Sequence, residues 1–137
     1  MKTVFADTFY WVALTNPADS SYHDANAVDD LLAGATVFTT DEVLAEFLTF
    51  FAVDAWLRNR AAETVLKLLK EPDVRVVAQS RESFLAGLEL YRQRQDKSYS
   101  LTDCISMQTM RRHGIGDVLT NDRHFEQEGF RALFRDH

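Results

Sequence analysis

Four short apolar runs, TVFA at 3–6, ATVFT at 35–39, VRVVA at 74–78 and DVLT at 117–120, are separated by longer stretches whose apolar residues recur at helical spacing. Runs of four or five residues rich in valine, threonine and phenylalanine have strand length, and the intervals between them are long enough for one or two helices. A chain that alternates in this way returns through a helix each time, so its strands lie parallel and both faces of the sheet are covered. The pattern therefore predicts strands at Thr3–Ala6, Ala35–Thr39, Val74–Ala78 and Asp117–Thr120, with a short fifth at Phe130–Phe134. Helices are expected around residues 8–15, 21–33, 41–53, 55–70, 81–95 and 101–113. Several carry start signals: Ser21 with Asp24, Thr40 before Asp41 and Glu42, Ser80, and Ser100 with Asp103.

Nothing in the chain marks a boundary. There is no repeat or proline-rich linker, and 137 residues with 46% hydrophobic content suffice for one core. One domain over residues 1–137 is the expectation. Cys104 is the only cysteine, which excludes an internal disulfide and reads as a small buried thiol in a reducing compartment. Asp7 interrupts the apolar start before it could serve as a signal-peptide core, and no apolar span of about 18 residues follows. The expectation is a soluble, cytoplasmic protein with no membrane contact.

In a parallel α/β sheet, sites form beyond the carboxyl ends of the strands. Asp7 follows the first strand and Asp122 follows the fourth. Each could cap a helix or close a turn, but together they place two acids at one mouth of the sheet. Asp103 stands three residues after Ser100, where a capping pair would account for it. Its helical neighbours Met107 and Met110 offer no ion pair. Glu46 lies at the margin of the apolar face formed by Val43, Leu44, Phe47, Leu48 and Phe51. Taken without the other acids, it reads there as a solvated flank.

Brought within about 4 Å of each other, such carboxylates would repel by several kcal/mol per pair at an effective dielectric near 20, and would need a cation to stay ionised. Oxygen donors without histidine or cysteine at ligand spacing point to Mg²⁺ or Mn²⁺. His124, between Arg123 and Phe125, reads as a packed structural residue, and His23, His113 and His137 show no partner spacing. Asp96 reads as a solvated loop acid.

The segments VFADTFYWVAL, the glutamate of TTDEVLAEFLTFF, YSLTDCISMQTM and LTNDRHFEQEGFRAL resemble, in that order, the acidic motifs of PIN-domain ribonucleases, and most nearly those of VapC-type toxins. The resemblance runs from Thr3 to about Leu133. It implies a PIN-like three-layer α/β/α sandwich with a central, mostly parallel sheet, and metal-dependent endonucleolytic cleavage of RNA. By the same resemblance Asp7, Glu46, Asp103 and Asp122 form the catalytic and metal-binding cluster. Thr8 and Thr120 stand beside it. A protein antitoxin is the implied partner, with an RNA-maturation nuclease or a catalytically silent PIN-fold binding module as alternatives.

A net charge of −6 opposes a general nucleic-acid coat. Setting the four site acids aside leaves −2, so positive charge for RNA has to be local. Arg58, Arg60, Arg92, Arg94, Lys97, Arg111, Arg112 and Arg123 are the candidates. The run FLTFFAVDAWL is richer in aromatics than one helix face needs; burial in the core is its first reading, and a homodimer interface or an antitoxin groove involving Phe50, Phe51 and Trp56 is the sharper one. A haloacid-dehalogenase-type phosphatase would need a second aspartate two residues after Asp7, where Phe9 stands. A receiver domain would need its acceptor aspartate after a middle strand and a lysine after a later one. Gln79 and Asn121 stand there instead.

Overall fold

In the computed structural model, which describes residues 3–135, the apolar runs lie side by side as one five-stranded sheet. The strands are β1 (Thr3–Ala6), β2 (Thr36–Thr40), β3 (Val74–Val77), β4 (Asp117–Leu119) and β5 (Arg131–Ala132). The helices are α1 (Thr8–Thr15), α2 (Tyr22–Leu31), α3 (Asp41–Phe50), α4 (Ala55–Leu68), α5 (Arg81–Gln93), α6 (Leu101–Arg112) and α7 (Arg123–Gln127). Every strand pair is parallel, in the order β3-β2-β1-β4-β5.

β1 is the centre of this sheet because its residues have nothing to offer solvent: Val4, Phe5 and Ala6 are fully buried. Its neighbours β2 and β4 bring Val37, Phe38, Val118 and Leu119 into the same core. The half-buried β3 and the two-residue β5 form the edges. The chain first moves outward from β1 through β2 to β3, using α1 to α4, and then crosses back to β4 through α5 and α6. Right-handed crossovers in opposite directions place these two helix sets on opposite faces. The result is a three-layer sandwich with its topological switch between β1 and β4.

Local chemistry fixes the helix ends. Thr40 accepts from the Val43 amide, Ser80 from that of Ser83 and Ser100 from that of Asp103, as their positions predict. Ser21 stands at the start of α2, but its hydroxyl makes no capping bond. After α6 the chain reverses at Gly114, whose φ of 66° is open to glycine at no steric cost, and the Ile115 amide returns to the Met110 carbonyl. This reversal delivers the chain to β4.

The sequence reading omitted α7, a five-residue helix whose apolar content is too slight to show a period. α3 stops at Phe50, short of the expected residue 53, and the fifth strand spans two residues of the five expected. His113 packs on the Phe38 ring and His23 on Tyr22, while His137 lies outside the described residues. No described helix is long and apolar enough to cross a membrane.

Candidate metal centre

The β1–β4 register pairs Phe5 with Val118 and Ala6 with Leu119. The next step along both strands sets Asp7 beside Thr120. The Thr120 hydroxyl donates to Asp7 Oδ2 at 3.0 Å, and both residues are buried. Asp7 does head α1, and its carbonyl accepts from the Tyr10 amide, but its carboxylate makes no capping hydrogen bond. The side chain is therefore not used to start the helix. It is directed into the mouth of the sheet, where burial, and next the nearby Asp103 carboxylate, push its pKa up to about 7.

Asp103 does cap its helix. Ser100 and Asp103 form a reciprocal capping box, with the Asp103 amide on the Ser100 hydroxyl and the Ser100 amide on Asp103 Oδ2. The carboxylate still faces the cluster, and burial, followed by the charge of Asp122, raises its pKa to about 6. Asp122 caps α7 by accepting from the His124 amide at 2.9 Å. Ligand atoms of Asp103, Asp122 and His124 lie within 4.8 Å of one another. Glu46 sits exposed on the flank of α3 and accepts from the Thr8 hydroxyl. Its charge acts on both Asp7 and Asp103, raising each. The structure thus brings together all four acids read from the sequence, with Thr8 and Thr120 as their hydroxyl donors.

His124 departs from expectation. Its Nδ1 lies 3.3 Å from Asp122 Oδ1 and 3.9 Å from Asp103 Oδ2, so it belongs to the cluster and is not merely packing. The signal was present in the sequence: a residue two positions after a capping aspartate sits in the first turn of the helix, turned toward the same mouth. Behind it stands a second polar group. Glu128 is buried, and although burial pushes its pKa up, hydrogen bonds from Arg94, Arg111 and the Tyr99 hydroxyl outweigh that and hold it at about 2. Tyr99 in turn packs its ring on His124 at 5.1 Å between centroids.

That network removes Arg94 and Arg111 from the pool of RNA-facing cations. Arg58 and Arg60 are tied to the carbonyls of Ala52 and Thr15, Arg92 to Glu89, and Lys97 lies 3.5 Å from the exposed loop acid Asp96. Arg112 and Arg123 are exposed, and among the described residues neither has an ion pair; Arg123 directly follows Asp122. Cys104 is fully buried and free, and burial, then Asp103, push its thiol up to about 11, which makes it a poor nucleophile.

The donor set is suited to a divalent ion. Carboxylate oxygens are the ligands hard cations take, and buried Asp7 has no cationic side chain opposite it among the described residues to compensate its charge. His124 supplies the one orphaned atom of the cluster, a buried Nδ1 without a hydrogen-bond partner.

Comparison with known proteins agrees with this architecture. Residues 4–130 match the model of the PIN domain family. The chain is 28% identical over 129 residues to the 23S rRNA-specific endonuclease VapC20 of Mycobacterium tuberculosis, covering 93% of this chain and 95% of that protein. The crystal structure of VapC20, described as a sarcin-ricin loop cleaving toxin, superposes with a TM-score of 0.80 at 26% identity, over 93% of this chain and 95% of that one. Rickettsia felis VapBC2, bound to a DNA fragment from its promoter, shares the fold with a TM-score of 0.68 at 15% identity, covering 95% and 96% of the two chains. FitAcB of Neisseria gonorrhoeae does so at 0.64 and 16%, covering 94% of each. With a family model spanning nearly its whole length and an acidic cluster at the switch point of a parallel sheet, the chain belongs to the PIN domain family and is similar within it to VapC-type endonucleases.

Proposed function

We propose that the protein is a metal-dependent endoribonuclease acting as one PIN domain, the toxin of a toxin–antitoxin pair, with Asp7, Glu46, Asp103 and Asp122 as its catalytic and metal-holding residues. The observation that carries this reading is the convergence of buried Asp7 with Asp103 and Asp122 at the mouth of the sheet, where among the described residues no arginine or lysine pairs with any of them and the pKa values of Asp7 and Asp103 are raised. A divalent ion, Mg²⁺ or Mn²⁺, supplies when bound the positive charge that draws in a phosphodiester and activates water for in-line attack.

The protein's own groups do the rest. Asp7, Asp103 and Asp122 would hold the ion as carboxylates, and Thr120 keeps the Asp7 carboxylate in place. Glu46, at the solvent rim and oriented by Thr8, is positioned to align the attacking water and accept its proton. Arg123, exposed beside Asp122, is the best-placed cation for a flanking phosphate. With so few free cations at the rim, affinity depends on RNA shape and on the metal more than on bulk charge, which favours a structured target over general degradation.

The partner reading rests on similarity to a toxin and on apolar surface. Phe50, Val53 and Trp56 are exposed around the α3–α4 connection, an arrangement suited to an antitoxin segment or to a second copy of the chain. Phe51, the third aromatic of that run, is buried against Phe47 and belongs to the core, in line with the burial reading.

The test is incubation of purified protein with total cellular RNA and with isolated 23S rRNA, in Mg²⁺ or Mn²⁺, beside an EDTA control and Asp7→Asn. Discrete fragments that vanish in both controls are expected. Intact RNA in the presence of a folded, metal-bound protein would make the chain a silent PIN-fold binding module.

A further inference from the structure

We infer that His124 is a nitrogen ligand of this metal centre, and that the position it shares with Asp103 and Asp122 therefore selects Mn²⁺ or a similar transition-metal ion over Mg²⁺. The inference rests on the reading of the acidic cluster as a metal site and adds to it a donor and a preference.

The geometry carries the argument. His124 Nδ1 stands 3.3 Å from Asp122 Oδ1 and 3.9 Å from Asp103 Oδ2. Two donors on one octahedral ion with bonds of about 2.1 Å are about 3 Å apart when adjacent and about 4 Å when opposite, so these spacings match ligands converging on a shared point. The atom is buried and makes no hydrogen bond, an arrangement that costs free energy unless something fills it.

The ring is also held. The Asp122 carboxylate takes the backbone amide of His124, which fixes the first turn of α7. The Tyr99 ring lies against the imidazole, and its hydroxyl is locked to Glu128, which Arg94 and Arg111 clamp in turn. An imidazole braced by a buried network behaves as a preorganised ligand, as partners around metal-binding histidines do elsewhere. As a ligand it offers the Nδ1 lone pair, with the proton on Nε2.

The consequence for metal choice follows from donor chemistry. Mg²⁺ binds oxygen and keeps much of its water, whereas Mn²⁺ and the later divalent ions accept imidazole readily. One nitrogen among carboxylates shifts the balance toward them without excluding Mg²⁺.

Pulsed EPR on the intact, RNA-free protein loaded with Mn²⁺ tests this directly. Histidine-derived ¹⁴N modulation is expected, changing to the ¹⁵N pattern when the protein is made with ¹⁵N-histidine. It should disappear in His124→Gln, with Mn²⁺ affinity about tenfold weaker and Mg²⁺ affinity much less affected. Mn²⁺ that binds, is lost in Asp103→Asn, and shows no nitrogen coupling would overturn the role of His124 and leave the acidic site standing. Coupling that persists in His124→Gln would assign it to another histidine and overturn the proposal equally. Mn²⁺ binding unaffected by Asp103→Asn, or no binding, would remove the metal site and the inference together. The isotope comparison uses unmodified protein, so it decides even if His124→Gln folds poorly.

Discussion

At the scale of single residues, Asp7 shows what a sequence can and cannot disclose. Its place after TVFA announced an acid at the mouth of a sheet, but helix capping explained it as well. Only the register with β4, which sets Thr120 opposite, shows that the carboxylate is not spent on the helix. Asp103 is the converse, since capping and facing the cluster are both satisfied by one side chain. His124 was read as packing because sequence places only Asp122 near it, whereas the fold adds Asp103 from α6 beside the same ring nitrogen.

The acid pair also makes a pH prediction for metal-free protein. The folded-state values near 7 for Asp7 and 6 for Asp103 lie above the ordinary value of 3.8, so between about pH 4 and pH 7 the folded chain holds protons the unfolded chain has released. Stability contributed by these groups is therefore present at low pH and lost as pH rises through that window. Asp7→Asn should raise stability at pH 7.5 in EDTA by about 2 kcal/mol and leave it nearly unchanged at pH 4.5. Urea unfolding at the two pH values checks this, and equal effects at both would refute it. Glu128 works in the opposite sense and in a separate range, since its low pKa stabilises above its ordinary 4.5 and that contribution fades only as pH falls toward 2.

At the scale of elements, four of the five strands and six of the seven helices were legible because apolar period and capping residues agree along most of the chain. α7 and β5 were hard to read because five and two residues carry too little pattern; tertiary contacts hold them, including buried Phe125 and the Phe134 ring on Phe9. A second feature had no sequence signal at all. Gly87, in the middle of α5, lets that helix approach α6 so closely that an added Cβ would meet the Ile105 side chain at 2.4 Å and its backbone at 3.1 Å. Gly87→Ala should therefore destabilise the protein by about 1–3 kcal/mol, although alanine is the better helix former. Thermal unfolding would show it, and a gain in stability would mean the helices separate at little cost. Because α6 carries Asp103, the same variant should also weaken Mn²⁺ binding.

For the whole molecule, surface decides what the chain meets. Phe50, Val53 and Trp56 expose apolar area that the core does not require, and we expect the protein alone to self-associate through it at micromolar concentration. Trp56→Ala should sediment as a monomer, and the concentration dependence of the wild-type thermal midpoint should be lost in it. A monomeric wild type would refute self-association and assign the surface to the antitoxin. The fold was legible from the sequence because its alternation admits few topologies, whereas the exposed aromatic surface was legible only in part, since Phe50 and Phe51 are adjacent and identical yet one is exposed and the other buried.

The position of β1 at the middle of the sheet has a further consequence for how the protein is made. β1 is made long before β4, the strand that pairs with it beside the acidic cluster and begins only at Asp117. A growing chain carries Asp7 and Glu46 long before it carries Thr120 or Asp122, and contacts of such wide sequence separation form late. The acidic cluster therefore cannot close until β4 and the turn after it have been made, and until then Asp7 and Glu46 stand without the groups that complete their surroundings.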